Sequence, residues 1–311
     1  MIKQKKISII FSFRNEEQTL KELYCRTQAV LERSNFLYEM IFVNDASTDS
    51  SRTILTDLAS KDQSVKAVHL SRCFGYNQGF MAGLEFSTGD AVIILDADLQ
   101  DPPEEILKLT EKWEEGVDVV HAIREKREGE NLFKMGLTSF AYKIIRKVSS
   151  IQLLDNAGNF KLISRRVGQE LLKLKEHDPY LRGLVSWVGF KQDKIYYSRQ
   201  KRFAGKGHFP VLKSSGPIKE FISGITSFSE FFFVVPFGSG LIFLILGFIV
   251  GCRECINVLF MQTPINWIST LILIVGGMQL ISLGLAGLYL ARIWKESAQR
   301  PRYIVESTIN I

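Results

Sequence analysis

Two long uncharged apolar stretches near the end of the chain constrain its architecture most. Phe231 to Gly251 runs for about 21 residues without a charge and Pro264 to Ala291 for about 28, and either is long enough to cross the hydrocarbon core of a membrane. Residues 231–311 hold only five Lys or Arg and three Asp or Glu. Apolar residues occupy all sides of both stretches, so they are predicted to be transmembrane helices at about 231–252 and 264–292.

Basic residues beside these stretches predict their orientation. The tail from Arg292 to Arg302 has four basic residues close to the second stretch, whereas the connecting loop 252–263 has only Arg253, beside Glu254. Lys and Arg are enriched in the cytoplasmic flanks of membrane spans. Both ends of the chain are therefore predicted to lie in the cytoplasm, with two membrane spans between them.

The first 125 residues alternate apolar runs with helical patterns, which is typical of an α/β fold with a parallel sheet covered by helices. The predicted strands are Ile7–Phe13, Glu39–Asn44, Val65–Leu70, Ala91–Leu95 and Val117–Ala122. The predicted helices are Glu16–Arg33, with Asn15 as its N-cap, and segments 48–60, 76–87 and 103–115. Further along, the pattern predicts a helix at 131–148, a strand at 159–163, a helix from Ser164 and a strand at 190–197.

The domain organisation follows from these patterns. A globular domain is predicted at 1–213, and the two apolar helices with a cytoplasmic tail at 231–311. Between them, at 214–230, apolar residues recur at helical spacing, as in an amphipathic helix lying in the membrane interface. The alternative for that helix is packing under the globular domain.

An apolar strand that ends in acidic residues is the strongest local sign of chemistry. After Leu95 the chain reads Asp96-Ala-Asp98-Leu-Gln100-Asp101 and then two prolines. Mg²⁺ prefers oxygen ligands, commonly one or two carboxylates, with substrate phosphates completing its shell. Because open α/β sheets bind ligands beyond the carboxyl ends of their strands, the motif predicts a diphosphate site. Taken alone, such a motif is also common on solvated loops.

Two other strand ends bring polar side chains to the same edge. Asp45 follows the second strand, and Ser47 or Thr48 is placed to cap the next helix. The Asp45 carboxylate can accept hydrogen bonds from a base or a ribose; the alternative is that Asp45 and Asp49 only cap a helix. A third group of contributors follows the first strand: Ser12, Arg14 and Glu16.

Several motifs in a fixed order resemble a known family. They occupy residues 8–17 (Ser-Ile-Ile-Phe-Ser-Phe-Arg-Asn-Glu-Glu), 43–49 (Val-Asn-Asp-Ala-Ser-Thr-Asp), 70–79, 95–104 and 182–190. With the two apolar stretches that follow, the chain resembles the bacterial polyprenyl-phosphate glycosyltransferases over nearly its whole length. These are relatives of dolichol-phosphate mannose synthase among the inverting family 2 enzymes. The resemblance implies a GT-A, Rossmann-like nucleotide-sugar domain in the cytoplasm, in a multi-pass protein of the bacterial inner (cytoplasmic) membrane.

The resemblance also implies roles for particular residues. Asp45 is expected near the base, Asp96 near the ribose and diphosphate, and Asp98 with Gln100 on a Mg²⁺ or Mn²⁺ ion. Basic residues are expected on phosphate groups: Arg199 and Arg202 on the donor side, and Arg124 and Arg127 as weaker candidates for the acceptor. Guanidinium groups suit phosphate because they donate two parallel hydrogen bonds. The alternative for the 199–202 segment is contact with anionic lipid.

One departure from the family concerns the general base. Where many relatives read Gly-Asp-Phe-Arg-Leu, this chain reads Gly158-Asn159-Phe160-Lys161-Leu162. An amide cannot act as a base, and Asp155, which lies at the spacing of the dolichol-type relatives, is the alternative candidate. A strong base is not essential, however, because a phosphate monoester with a second pKa near about 6 is already largely an anionic nucleophile at neutral pH.

The resemblance implies that the protein is a glycosyltransferase. It is expected to move a sugar, by default glucose, from a UDP-sugar to undecaprenyl phosphate with inversion, and to supply a lipid-linked sugar for cell-surface glycans. The expected partners are the UDP-sugar, undecaprenyl phosphate, membrane lipid and further copies of the chain, with a tetramer as one option; no nucleic acid is expected. The rival functions are a catalytically silent scaffold, supported by Asn159, and a processive polysaccharide synthase, whose Gln-x-x-Arg-Trp motif this chain lacks.

Overall fold

The computed structural model describes residues 4–127, 157–177, 179–204 and 268–311, with isolated helical positions at 242, 245 and 249. The chain divides into two compact units. One covers residues 1–147, 151–224 and 301–311, and the other covers 148–150 and 225–300. Several predictions lie outside the described residues: the helix at 131–148, the interface helix at 214–230, most of the first apolar stretch, and Asp155.

The first unit is built around one sheet. Its strands are β1 (Lys6–Phe13), β2 (Leu37–Asn44), β3 (Val65–Leu70), β4 (Ala91–Ile94), β5 (Val119–Arg127), β6 (Ala157–Ser164), β7 (Gln192–Arg199) and β8 (Val305–Ile309). Its helices are α1 (Leu20–Leu31), α2 (Ser51–Lys61), α3 (Tyr76–Phe86), α4 (Ile106–Glu114), α5 (Arg165–Lys173) and α6 (Leu181–Trp187), and a short 3₁₀ turn, Pro103–Glu105, precedes α4. The second unit contains α7 (Ile268–Ser297).

The sheet is mixed, with strand order β7-β5-β6-β4-β1-β2-β3-β8. Strands β4, β1, β2 and β3 run parallel, as the alternation of strands and helices predicts. Strand β6 runs antiparallel to both β4 and β5, β5 is parallel to β7, and β8 is antiparallel to β3. The fold is therefore α/β and Rossmann-like, and its mixed sheet agrees with the GT-A architecture that the resemblance implies.

Both faces of the central strands are buried, and this explains their nearly continuous apolar runs. On one face Phe11 stacks on Phe42, with ring centroids 4.7 Å apart. On the other face α3 approaches β1 closely: a Cβ at Gly83 would lie 2.5 Å from the Ile10 methyl Cγ2. Glycine at this position lets the helix pack against the strand and so positions Tyr76, its first residue, at the carboxyl edge of the sheet.

The predicted helix caps are wrong. The N-cap of α1 is Thr19, whereas Asn15 has a φ of 55° and uses its side-chain oxygen to accept a hydrogen bond from the Thr48 amide at 2.8 Å. The N-cap of α2 is Ser50 rather than Ser47 or Thr48. These polar side chains instead connect the β1 and β2 loops, because a loop from another strand offers partners that a local pattern cannot reveal.

The final strand was not predicted from sequence. Strand β8 covers the edge of β3, and its neighbours hold it there: Asn310 donates to the carbonyls of Ala59 and Val65 at 2.7 and 2.9 Å. The Arg52 guanidinium lies 3.0 Å from Glu306. Residues assigned from sequence to a cytoplasmic tail thus complete the sheet of the first unit.

Within the second unit, α7 is 30 residues long and carries exposed apolar side chains, such as Leu280 and Leu283. Among the residues that the structure describes, no helix has the length and hydrophobicity needed to span a membrane.

Candidate active site

Asp45, at the end of β2, organises the loop that precedes α3. Its carboxylate accepts hydrogen bonds from the Phe74 and Gly75 amides at 2.7 and 2.9 Å, and from the Cys73 thiol at 3.3 Å. Gly75 has a φ of 106°, a conformation that favours glycine. The structure therefore places Asp45 at the predicted edge, with both carboxylate oxygens shaping the 73–75 loop.

The contributors after β1 lie close to this loop. Ser12 donates to the Tyr76 carbonyl at 3.2 Å and packs against Gly79, where any Cβ would collide with the serine hydroxyl. The exposed Arg14 is near enough to Cys73 to affect the pKa of its thiol. Ser12, Arg14 and Asp45 are thus brought together around one loop.

Asp96 follows β4 on the face that α3 covers. Its Oδ1 atom is enclosed and has no hydrogen-bond partner among the described residues. Burial raises the pKa of Asp96, and the nearby carboxylates of Asp101 and Asp98 raise it further. The Tyr76 side chain faces Asp96, and burial together with that carboxylate raises the pKa of the tyrosine well above its ordinary value. Tyr76 is therefore a neutral donor beside a carboxylate.

Asp98, Glu16 and Arg202 meet although they are far apart in sequence. Arg202 forms an ion pair with Glu16, and its Nη1 atom lies 3.6 Å from Asp98 Oδ2. The Gln100 amide donates to Asp98 Oδ1 at 3.1 Å. Burial is the main cause that raises the pKa of Asp98, whereas the Gln100 amide and Arg202 oppose it. A guanidinium thus already faces the carboxylate predicted to hold a metal.

The buried carboxylate of Asp101 contacts two of the arginines that were predicted to bind phosphate. It accepts a hydrogen bond from the Tyr197 hydroxyl, and its carboxylate lies 3.2 Å from Arg124 Nη2 and 3.4 Å from Arg199 Nε. Arg124 also fills the space beside Gly158, where a Cβ would lie 2.6 Å from its Nη2 atom. Arg124 therefore has a carboxylate partner in this state, and its contact with an acceptor phosphate stays a prediction.

The face of β6 that α6 covers carries Asn159 and Lys161. The Asn159 side-chain oxygen accepts a hydrogen bond from Arg182 Nε at 3.0 Å. Lys161 is buried, and burial, followed by the nearby Arg182, lowers its pKa to about 7 while Asp96 opposes the shift. Asn159 is thus an acceptor for an arginine, not a base held ready for a proton.

The acidic residues fit a divalent cation only with help from a substrate. Within the described ranges, no set of three or more His, Cys, Asp or Glu side chains is arranged to hold a metal. Asp96 and Asp98 nevertheless repel each other, and one Asp96 oxygen lacks a partner among those ranges. An oxygen-rich pair of this kind suits Mg²⁺ or Mn²⁺ when diphosphate oxygens complete the shell.

Comparison with known proteins shows which family the chain belongs to. Residues 8–172 match the family described as Glycosyl transferase family 2. The chain belongs to glycosyl transferase family 2. This glycosyltransferase is similar along nearly its whole length to a Bacillus subtilis (strain 168) protein named uncharacterized glycosyltransferase YkcC, with 38% identity covering 98% of this chain and 94% of that one.

A second relative of this family 2 glycosyltransferase is the bactoprenol glucosyl transferase of Shigella phage SfX, 36% identical over 97% of this chain and 99% of that one. Among solved structures, mannosyl-3-phosphoglycerate synthase from Rubrobacter xylanophilus is similar with a TM-score of 0.49 and 16% identity, covering 70% of this chain and 71% of that one.

Sequence reasoning missed four polar residues of this glycosyltransferase site. Asp101 and Tyr76 lie inside motifs that resemble the family, but the motifs alone assign them no role. Lys161 has a visible signal, a charged residue at an inward position of an otherwise apolar strand. Arg182 begins the 182–190 motif, but that motif alone assigns it no role, and its partner Asn159 lies 23 residues away in the chain.

Proposed function

We propose that this glycosyltransferase transfers glucose from UDP-glucose to undecaprenyl phosphate, with inversion, at the cytoplasmic face of a bacterial membrane. What supports this most is the full-length similarity to the bactoprenol glucosyl transferase of Shigella phage SfX. Bactoprenol is the bacterial polyprenyl alcohol, and its phosphate is the acceptor that the sequence motifs imply.

The reaction is a single displacement at the anomeric carbon. An oxygen of the acceptor phosphate attacks that carbon, the bond to the diphosphate oxygen breaks, and the nucleoside diphosphate leaves with the electron pair. Arg202 and Arg199 are proposed to bind the leaving diphosphate, whose oxygens would replace Glu16, Asp98 and Asp101 as their partners. The protein's task is thus to orient two anions and to balance their charge.

Asp98 and Gln100 are the residues that would hold a Mg²⁺ or Mn²⁺ ion, which supplies positive charge against the departing diphosphate when bound. Asp96 lies near both Tyr76 and Asp98, and its unpartnered oxygen suits a contact with the donor. Asp45 is proposed to position the 73–75 loop against the base.

The two apolar stretches, at about 231–252 and 264–292, are proposed to cross the membrane as a hairpin. Their length and lack of charge support this. The sheet adds a second argument. Strands β1 to β7 and strand β8 belong to one sheet, so the segments before and after the apolar stretches lie on one side of any membrane. A chain that leaves and returns to the same side crosses an even number of times.

The test is transfer by the full chain in nanodiscs that contain undecaprenyl phosphate, with radiolabelled UDP-glucose as donor. We expect a radiolabelled butanol-extractable lipid that appears only when both substrates are present. A panel of other UDP-sugars measures donor selectivity, and a preference for another UDP-sugar would overturn the choice of glucose. Binding of UDP without transfer from any member of the panel would instead favour the catalytically silent scaffold, and a growing polymer would favour a processive synthase.

A further inference from the structure

The segment 200–204 leaves the end of β7 and lies against the acidic turn that follows β4. Its first residue is fixed there, because the Gln200 amide donates a hydrogen bond to the Gln100 carbonyl at 2.9 Å. The Gln200 side chain accepts a hydrogen bond from Arg26, which is itself paired with Glu104 at 2.7 Å. The segment therefore passes the predicted metal-binding turn from a fixed starting point.

Each nitrogen of the Arg202 guanidinium has a partner. Nη2 forms an ion pair with Glu16, and Nη1 lies 3.6 Å from Asp98 Oδ2. Nε donates a hydrogen bond to the Ala204 carbonyl at 2.9 Å, which folds the segment back on the arginine. Glu16 follows β1 and Asp98 follows β4, so the side chain joins the ends of two neighbouring strands. One positive charge thus lies between two carboxylates that are far apart in sequence.

Arg202 faces one of the two Asp98 oxygens directly. Asp98 Oδ1 accepts a hydrogen bond from the Gln100 amide at 3.1 Å, which leaves Oδ2, the atom beside the guanidinium, with more capacity for a metal ion. Two cations beside one carboxylate repel each other, and the repulsion is stronger in a protein than in bulk water. A divalent ion on Asp98 is therefore opposed as long as Arg202 stays in place.

Glu16 and the donor diphosphate compete for the same guanidinium. In the empty site Glu16 holds Arg202 beside Asp98. Diphosphate oxygens offer the guanidinium parallel charge-assisted hydrogen bonds and more negative charge than one carboxylate. Donor binding therefore favours a position of Arg202 away from Asp98, and the carboxylate is then open to a metal ion.

We propose that Arg202 is a resident cation of the empty site, which the metal ion and the donor diphosphate displace together. The inference rests on the donor and metal sites of the proposed function and adds to them a coupling between the two ligands. The metal alone should bind weakly, and UDP should strengthen its binding by releasing Asp98. Such coupling is reciprocal, so the metal strengthens UDP binding by the same factor.

The test measures Mn²⁺ binding to the full chain in phosphatidylcholine nanodiscs, with free Mn²⁺ detected by electron paramagnetic resonance and empty nanodiscs as the blank. Without nucleotide, Arg202→Met should bind Mn²⁺ about fivefold or more tightly than wild type, because the competing charge is gone. UDP should strengthen Mn²⁺ binding in wild type by a factor at least about fivefold larger than in Arg202→Met.

Two further variants separate charge from structure. Arg202→Lys keeps a positive charge beside Asp98, so its Mn²⁺ affinity without nucleotide should stay within about threefold of wild type. The matched control is Lys201→Met, which removes the exposed neighbouring lysine and should leave both measurements within about twofold of wild type. Tighter Mn²⁺ binding in Arg202→Lys, or in Lys201→Met to the same extent as in Arg202→Met, would overturn the inference.

The sign of the effect distinguishes this role from simpler ones. If Arg202 only binds phosphate, Arg202→Met will weaken UDP binding and leave Mn²⁺ binding without UDP unchanged. If its role is only structural, both ligands will bind more weakly. Either result would overturn the inference, and an absence of Mn²⁺ binding even with UDP would overturn the metal assignment as well.

The binding measurements need no sugar transfer, so they fail independently of the proposed reaction. Protein that shows the coupling between Mn²⁺ and UDP but makes no lipid-linked product would retain the inference and refute the proposed function. Active protein in which Arg202→Met leaves Mn²⁺ binding unchanged would refute the inference alone.

Discussion

Two acidic groups at opposite ends of the sheet have opposite environments. At the amino ends of the strands, the buried Glu39 accepts hydrogen bonds from Ser8 and the Thr88 amide through one oxygen. Its other oxygen accepts from Thr88 Oγ1 and pairs with Lys6 and Lys66 at 2.7 and 2.9 Å. Both carboxylate oxygens are thus fully satisfied.

At the carboxyl ends, burial and the nearby carboxylates of Asp101 and Asp98 raise the pKa of Asp96, and burial and Asp101 raise that of Asp98. Burial acts on both Glu39 and Asp96, but of these two only Glu39 has enough donors to outweigh it. Its pKa falls to about 2, whereas the pKa of Asp96 rises. A buried carboxylate whose oxygens all accept hydrogen bonds, such as Glu39, stabilises the fold. A buried carboxylate without enough donors, such as Asp96, indicates a ligand-binding position.

The largest expected effect comes from removing one of the acidic side chains that lie close together at the carboxyl ends of the strands. Asp98→Ala should lower glucose transfer by at least about a hundredfold, because a lost ion-binding carboxylate removes charge stabilisation worth several kcal/mol. The assay is lipid-linked product formation with and without EDTA. Asp57→Ala, which removes an exposed aspartate paired with Lys61, is the control and should retain activity. Near-normal turnover of Asp98→Ala, or activity that survives EDTA, would contradict the metal assignment.

At the amino ends of the strands, substitution of the fully hydrogen-bonded Glu39 should change the stability of the fold. Glu39→Gln should lower the free energy of unfolding by about 3 kcal/mol, since it leaves the partly buried Lys6 and Lys66 without the buried carboxylate that they pair with. Activity per folded molecule should stay within about twofold of wild type. Thermal unfolding and transfer assays on the same sample measure both. Glu114→Gln, at an exposed pair with Lys5, should change stability by less than about 1 kcal/mol. A loss of turnover in folded Glu39→Gln would break the comparison.

Acid should remove the same stabilisation. Burial alone raises the pKa of Glu39, but the hydrogen bonds from Lys6, Ser8, Thr88 and Lys66 outweigh it and lower the pKa from 4.5 to about 2. The stabilisation is therefore fully present above pH 4.5 and is lost as the pH falls towards 2. Between pH 4.5 and 3, wild type should lose about 2 kcal/mol more than Glu39→Gln. Parallel pH dependences of the two unfolding free energies would show that Glu39 does not carry the effect.

The smallest effect should have the opposite sign. Asp96→Asn should raise the free energy of unfolding by about 1 kcal/mol at neutral pH, because an amide removes the repulsion from Asp98 and Asp101. Thermal unfolding without nucleotide or metal measures it. A destabilisation as large as that of Glu39→Gln would place Asp96 among the structural carboxylates.

Sequence patterns predicted the strands of the first unit well but not the contacts of its polar residues. Strand β3 was predicted at its observed bounds, and α3 to within one residue, because apolar periodicity and turn residues are local signals. Asn15 was assigned to the wrong cap, and β8 was not foreseen. A five-residue strand at a sheet edge is recognisable only once its partner, β3, is in place.

The sequence by itself determined the α/β class, the acidic motif after β4 and the two uncharged stretches, because each depends on neighbouring residues and their spacing. Only the tertiary structure decided which charges meet. Glu39 and Asp96 are both acidic residues of strands or strand ends, yet Lys6 and Lys66 surround the first and Asp98 and Asp101 the second. The pKa of each carboxylate depends on the balance between desolvation and hydrogen bonding. That balance is set by partners far away in the chain, so no local sequence pattern predicts it.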